Sequence, residues 1–184
     1  MSLKISISGP AGSGKSSLIA AIVKKYGMET ADVGHIYRQR GIAKGLTISE
    51  YDKLVEMHPE EDIEMEREFK QIVENCPGDI IVSWRMGFHL LPNMTSIRLD
   101  VSPEEGAKRI FLDDRGKEEK KYTNIEEVIK TDHDRMERFR QRAIKLYGVD
   151  FTDTSHYTKV IDTTGRSFDE NLEELEEFVK TLRK

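Results

Sequence analysis

The segment GPAGSGKS, Gly9 to Ser16, has the spacing GxxxxGK[ST] and the residue types that can hold a polyphosphate. Glycines let a backbone turn so that its N–H groups face inward around phosphate oxygens, and a helix N-terminus adds partial positive charge at the same point. Lys15 would reach the β and γ phosphates, and the Ser16 hydroxyl would ligate magnesium. The expected nucleotide contacts are Gly9, Pro10, Ala11, Gly12, Ser13, Gly14, Lys15, Ser16 and Ser17. The bland alternative is a glycine turn with a chance lysine.

Transfer of a phosphoryl group develops charge on its equatorial oxygens, which cations must offset while water is kept out. A chain built for this should carry arginines at strand ends and near a polar lid. Arg38, Arg85 and Arg115 stand at such places, and RMERFRQR, from Arg135 to Arg142, puts four arginines within eight residues. At helical spacing Arg135, Arg138 and Arg142 share a face while Arg140 points elsewhere. Each has a plainer reading: Arg38 as a solvated helix residue, the later run as a solvated charged face. Arg85 is harder to dismiss, because it ends the apolar run DIIVSW and a buried guanidinium without an anion is costly.

The elements that must position these groups alternate. LKISISG (3–9) reads as a strand delivered to the glycine loop, and SSLIAAIVKKY (16–26) as the helix leaving it. METADV (28–33) is a second strand ending at Gly34, and HIYRQRGIAKG (35–45) a helix. Thr47 and Glu50 form a capping box ahead of TISEYDKLVEMH (47–58), and the acidic stretch 60–76 is another helix. DIIVSW (79–84) and TSIRLDV (95–101) are strands; Ser102 and Pro103 mark the N-cap and first position of helix 104–114. Residues 114–124 are polar and lid-like, the helix 125–148 carries the arginines, TKVIDT (158–163) is the last strand, and Ser167 opens the final helix. The class is α/β, with a five-stranded parallel sheet covered by helices on both faces.

The chain has 184 residues, 37% hydrophobic and 34% charged, with a net charge of −5, which suits one domain, residues 1–184. The acidic balance argues against a broad grip on nucleic acid. No apolar run approaches the roughly 18 residues that span a bilayer, and MSLKISISGP lacks an export signal, so a soluble, cytoplasmic protein without a membrane partner is expected. Cys76 is the sole cysteine and reads as a small buried hydrophobe. DTTG (162–165) follows the last strand and no NKxD occurs, which argues against a GTPase switch. What remains is a small phosphotransferase, with ATP in the loop and an acceptor in a second site.

The order of these segments resembles the nucleoside monophosphate kinases, and among them the short archaeal-type cytidylate kinases. SGPAGSGKSS looks like that family's ISGPPGSGKTT; DVGHIYRQRGIAKGLTISEY resembles its SAGEIFRxxAxxxGxSLEEF; YGVDFTD near residue 150 resembles its YGIDxxD. The resemblance implies a P-loop NTPase fold with a helical acceptor-binding insertion at about 34–75 and a short lid at about 113–126. It implies transfer of the γ phosphate of ATP, with Mg2+, to a nucleoside monophosphate, CMP or dCMP first; the sequence does not show the oligomeric state, and a monomer is the expectation. Lys15, Arg135 and Arg115 would be catalytic; Asp32, Arg38, Arg85 and Arg142 would hold the acceptor; Ser16 would hold the metal.

The chain departs from the family where Glu and Gly should precede the arginine, because Ser83 and Trp84 stand there. Serine can hydrogen-bond but carries no charge. Asp32 could compensate or could simply cap the following helix. Two other readings stay open: a kinase of AMP or another small acceptor, and a nucleotide-binding regulator with weakened catalysis.

Overall fold

The computed structural model describes residues 2–112 and 122–183. Its strands are β1 (Lys4–Ser8), β2 (Glu29–Asp32), β3 (Ile80–Ser83), β4 (Thr95–Asp100) and β5 (Lys159–Asp162). They form one parallel sheet in the order β2-β3-β1-β4-β5, the α/β arrangement that the alternation of elements predicts. The helices are α1 (Lys15–Tyr26), α2 (Val33–Ala43), α3 (Ile48–Met57), α4 (Glu60–Asn75), α5 (Gly87–Leu90), α6 (Pro103–Leu112), α7 (Ile125–Tyr147) and α8 (Phe168–Leu182).

Successive strand residues point to opposite faces, so the sheet separates two cores. Ile5, Ile7, Ile81, Ile97, Leu99 and Ile161 pack against α1 and α8 on one face. Ile80, Val82 and Trp84 face the other way, onto Phe69 and Val73 of α4 and Ala143 of α7. Full burial of side chains this size contributes about 1.5–3 kcal/mol each, which makes the sheet a rigid platform for whatever its strand ends carry. A third cluster, Tyr37, Tyr51, Val55 and Met65, ties α2, α3 and α4 into a helical unit of their own.

Local signals set most boundaries. Thr47 and Ser167 each form a capping box, with Glu50 and Glu170, and Ser102 Oγ accepts the Glu105 N–H ahead of α6. The DTTG segment is a turn into α8: Asp162 Oδ1 accepts the Thr164 N–H, and Gly165 has φ of 66°. Two expectations need correction. The second helix begins at Val33, not after Gly34, because the Asp32 carboxylate accepts the Gly34 N–H and starts the helix ahead of the glycine. Cys76, at the end of α4, packs at the edge of the Phe69–Trp84 core and is only partly buried, its Sγ 3.6 Å from the Gly78 carbonyl oxygen. The short α5 after Arg85 gives no period long enough to be read from sequence. Among the described residues no helix is long and apolar enough to cross a membrane.

Candidate functional site

The glycine loop runs from the end of β1 to the start of α1, and close packing explains its composition. Gly9 and Gly12 have φ of 142° and 75°, and a Cβ on Gly12 would come within 2.3 Å of the Gly106 carbonyl oxygen. No other residue fits this conformation against the first turn of α6. Lys15 Nζ donates to the carbonyls of Gly9 at 2.9 Å and Pro10 at 2.6 Å, so its charge closes the loop. Ser16 and Ser17 are exposed at the start of α1, and Ser13 is buried with its hydroxyl on Pro10 O. An arginine that sequence reading overlooked braces this region. Arg109 of α6 donates to Gly12 O at 3.3 Å and to Thr163 O at 2.7 Å, joining the loop to the turn after β5.

A cleft opens beyond the ends of β3, which neighbours β1 in the sheet, and of β2, which lies on the far side of β3. Outside the carboxyl ends of parallel strands is where open α/β sheets bind ligands. Arg85, Arg135 and Arg142 reach into it together around the ring of Phe139, their Cζ atoms 4.9, 5.5 and 4.5 Å from its centroid. Each keeps a buried nitrogen with no hydrogen-bond partner among the described residues: Nε of Arg85, Nε of Arg135 and Nη2 of Arg142. Burial, and next the charge of Arg135, pulls the Arg85 guanidinium below an arginine's ordinary pKa. Arg135 and Arg142 have carboxylates of α3 and α4 within reach, so Arg85 is the cation of the three whose burial is costly unless an anion meets it.

The same arginine face of α7 meets acids of α3 and α4 along a seam, with Arg138 still exposed to solvent. Arg135 lies 3.9 Å from Asp52, Arg138 3.3 Å from Glu56, and Arg142 Nε donates to Asp62 at 2.9 Å. Asp52 is buried and also accepts the Tyr37 hydroxyl at 2.5 Å, which, after burial itself, drives the Tyr37 pKa up. Arg140 points away, as its spacing predicts, and pairs with Asp150 of the YGVDFTD segment at 2.7 Å. Asp150 is held well below the usual carboxylate range, chiefly by that bond. None of these acids could be matched to its arginine from sequence, since partners up to 83 residues apart meet only through the fold.

Arg38 stands outside the Phe139 cluster, half-exposed on α2, with Nη2 3.5 Å from Asp32 Oδ2. Asp32 therefore does two things, capping α2 and facing Arg38, and it lies beside Ser83 in the strand register. Arg115, and the lid stretch up to residue 121, lie outside the described residues. Trp84 does not fill the cleft. Its ring is buried edge-on against Phe69 and its indole N–H donates to Glu66 of α4, an acid that lines the cleft and that sequence reading passed over.

A magnesium ion fits the chemistry of the loop only in part. The Ser16 hydroxyl is exposed where a metal on bound phosphates would need it, and Asp32 is the carboxylate beside Ser83. Among the described residues no cluster of three or more metal-binding side chains exists, so phosphate oxygens and water would complete such a shell.

Known proteins resemble this chain in sequence and in fold. Residues 5–137 match the AAA domain family. The chain is 32% identical to a cytidylate kinase of Thermococcus kodakarensis, over 88% of this chain and 79% of that one, and 31% identical to one of Pyrococcus horikoshii over 88% and 80%. It is also 35% identical over 89% of its length to an S-adenosylmethionine-dependent nucleotide dehydratase of Lacinutrix mariniflava, of which it spans only 33%. In fold it resembles a shikimate kinase of Bacteroides thetaiotaomicron (TM-score 0.64, 15% identity, 97% of this chain and 98% of that one) and TT1252 of Thermus thermophilus (TM-score 0.65, 16% identity, 100% and 99%).

Proposed function

This chain belongs to the nucleoside monophosphate kinase family of P-loop proteins, and from that membership we propose that it transfers the γ phosphate of ATP to a nucleoside monophosphate, CMP or dCMP foremost. The observation that carries the reading is the cluster of Arg85, Arg135 and Arg142 around Phe139, a concentration of positive charge one strand away from the phosphate loop. The similarity to cytidylate kinases favours cytosine as the acceptor base, and a relative named for a nucleotide substrate favours a nucleotide over a sugar or other metabolite.

In this reading Gly9 to Ser17 hold the ATP phosphates, and Lys15 leaves its loop carbonyls to follow the charge on the β and γ oxygens. Mg2+, held by Ser16 and the phosphates, would offset charge between them. Arg85 and Arg38 grip the acceptor phosphate, Arg142 holds another part of the acceptor, and Arg135 meets the phosphoryl group in transit. Arg115 is a further contact for it. An acceptor phosphate oxygen forms the new bond to the γ phosphorus as the bond to ADP breaks, so no side-chain nucleophile is needed and positioning supplies the rate. The helical unit 34–75 serves as the acceptor-binding insertion, closing on α7 through the Asp52, Glu56 and Asp62 pairs.

A coupled assay with ATP, Mg2+ and a panel of monophosphates tests this. Turnover on CMP and dCMP is expected. Turnover on AMP or another acceptor alone would move the substrate, and ATP binding with no transfer to any acceptor would favour a regulatory nucleotide-binding role.

A further inference from the structure

At the end of β3, Trp84 does something that a glycine could not. Its ring is 5.0 Å from Phe69 at 72° and almost wholly buried, so the indole cannot swing, and its N–H is aimed at Oε2 of Glu66. Glu66 and Asp62 lie one turn apart on the α4 face that lines the cleft. Asp62 is engaged by Arg142 Nε, whereas among the described residues Glu66 accepts only the indole N–H. The cleft wall thus presents a carboxylate fixed by a rigid donor, in the same cleft as Arg142, whose Nη2 is a buried donor with no partner.

These acids share the cleft with the Phe139 arginines. A wholly anionic occupant would gain at Arg85 and Arg135 and lose at Asp62 and Glu66. An occupant with an anion at one end and an N–H donor at the other gains at both. Resting on the function proposed above, we infer that Glu66, held by Trp84, accepts a hydrogen bond from the exocyclic amine of the acceptor base, with Arg142 Nη2 donating to the ring nitrogen beside it. Cytosine presents that donor–acceptor pair. Uracil reverses it, setting a carbonyl against the carboxylate and an N–H against the guanidinium, and so leaves buried polar groups unpaired. Trp84 is then a specificity feature of this chain rather than a damaged motif.

The carboxylate is needed ionised. Burial pushes Glu66 up to about 7, the indole bond and Arg85 working against that rise and Asp62 adding to it. Assays at pH 8 therefore address the charged form.

The test is kcat and KM for CMP and UMP at pH 8 in the wild type, Glu66→Gln and Trp84→Phe. Gln keeps the indole bond through its amide oxygen and can donate to a uracil carbonyl. Glu66→Gln should raise the CMP KM about tenfold or more with little change in kcat, leave the UMP KM equal or lower, and so cut the CMP:UMP preference at least about tenfold. Trp84→Phe, which keeps an aromatic ring against Phe69 but removes the N–H with part of the indole, should shift the ratio the same way by less. An equal effect on both substrates, or none, overturns the inference, since packing or ribose contacts do not distinguish the bases. If the wild type uses AMP instead, AMP against IMP carries the same reversal. A wild type inactive on every monophosphate refutes the proposed function, and calorimetric binding of CMP and UMP to wild type and Glu66→Gln then still decides for or against Glu66.

Discussion

The Arg85 guanidinium lies over the face of Phe139, its Cζ 4.9 Å from the ring centroid, and its buried Nε makes no hydrogen bond among the described residues. Aromatic contact recovers only about 0.5–2 kcal/mol of what desolvating a cation costs. Function and stability should therefore part company here. Arg85→Met is expected to raise Tm by about 3–6 °C, corresponding to about 1–2 kcal/mol, while kcat/KM for the acceptor falls about a thousandfold. Thermal unfolding and steady-state kinetics on the same preparation check both. A variant less stable than wild type would mean that the arginine is a structural group.

Lys15 donates to the carbonyls of Gly9 and Pro10, so its replacement touches the loop as well as the ligand. Bonds from a charged donor are worth about 1.5–3 kcal/mol each, and water reaching this half-buried lysine replaces part of that when they are lost. Lys15→Ala should lower Tm by a few degrees, keep the far-UV spectrum, and reduce transfer at least about a hundredfold. Retention of most of the activity would place the phosphates elsewhere.

Asp32 and Ser83 stand side by side at the ends of β2 and β3. Asparagine caps a helix as well as aspartate does, so Asp32→Asn isolates the charge from the cap. The expected outcome is an unchanged Tm, a kcat about tenfold lower and a higher Mg2+ requirement. Ser83→Glu should restore the rate in that background, returning a carboxylate to the strand end. In the wild-type background it sets two carboxylates next to each other and should cost up to about 1 kcal/mol, read as a lowered urea midpoint.

The phosphate loop and Arg85 were legible in the sequence because each is a local signal: glycines and a lysine at fixed spacing between a strand and a helix, and an arginine closing an apolar run. The Arg135, Arg138 and Arg142 face was legible as a period, but not what it meets. Glu66 was invisible for the opposite reason. It sits in EEDIEMEREF, where six of ten residues are acidic, and nothing local separates the acid that faces the cleft from those that face water. Only the strand order, which sets β3 between β1 and β2, and the packing of Trp84 on Phe69 single it out.

Ionisation of Glu66 should act on stability and on acceptor choice in opposite directions. Its pKa rises from 4.5 to about 7 on folding, through burial first, among Asp62 of α4, Trp84 and Arg85 after β3, and Arg142 and Tyr147 of α7. Between those values the folded chain binds more protons than the unfolded one, so this group's contribution to stability falls as pH rises through the window and levels off above it. The full shift corresponds to about 3 kcal/mol, and partial access to water at the cleft mouth reduces it to about 1–3 kcal/mol. The Tm difference between Glu66→Gln and wild type should therefore be small near pH 4.5 and grow to several degrees in favour of the variant by pH 8. Over the upper part of the same range the wild-type CMP:UMP ratio should climb as the carboxylate forms, and the acceptor phosphate's own titration cancels because both substrates share it. Calorimetric melts and paired kinetics from pH 5.5 to pH 8.5 measure the two trends. A ratio that stays flat while the melts diverge would leave Glu66 a buried acid with no part in reading the base.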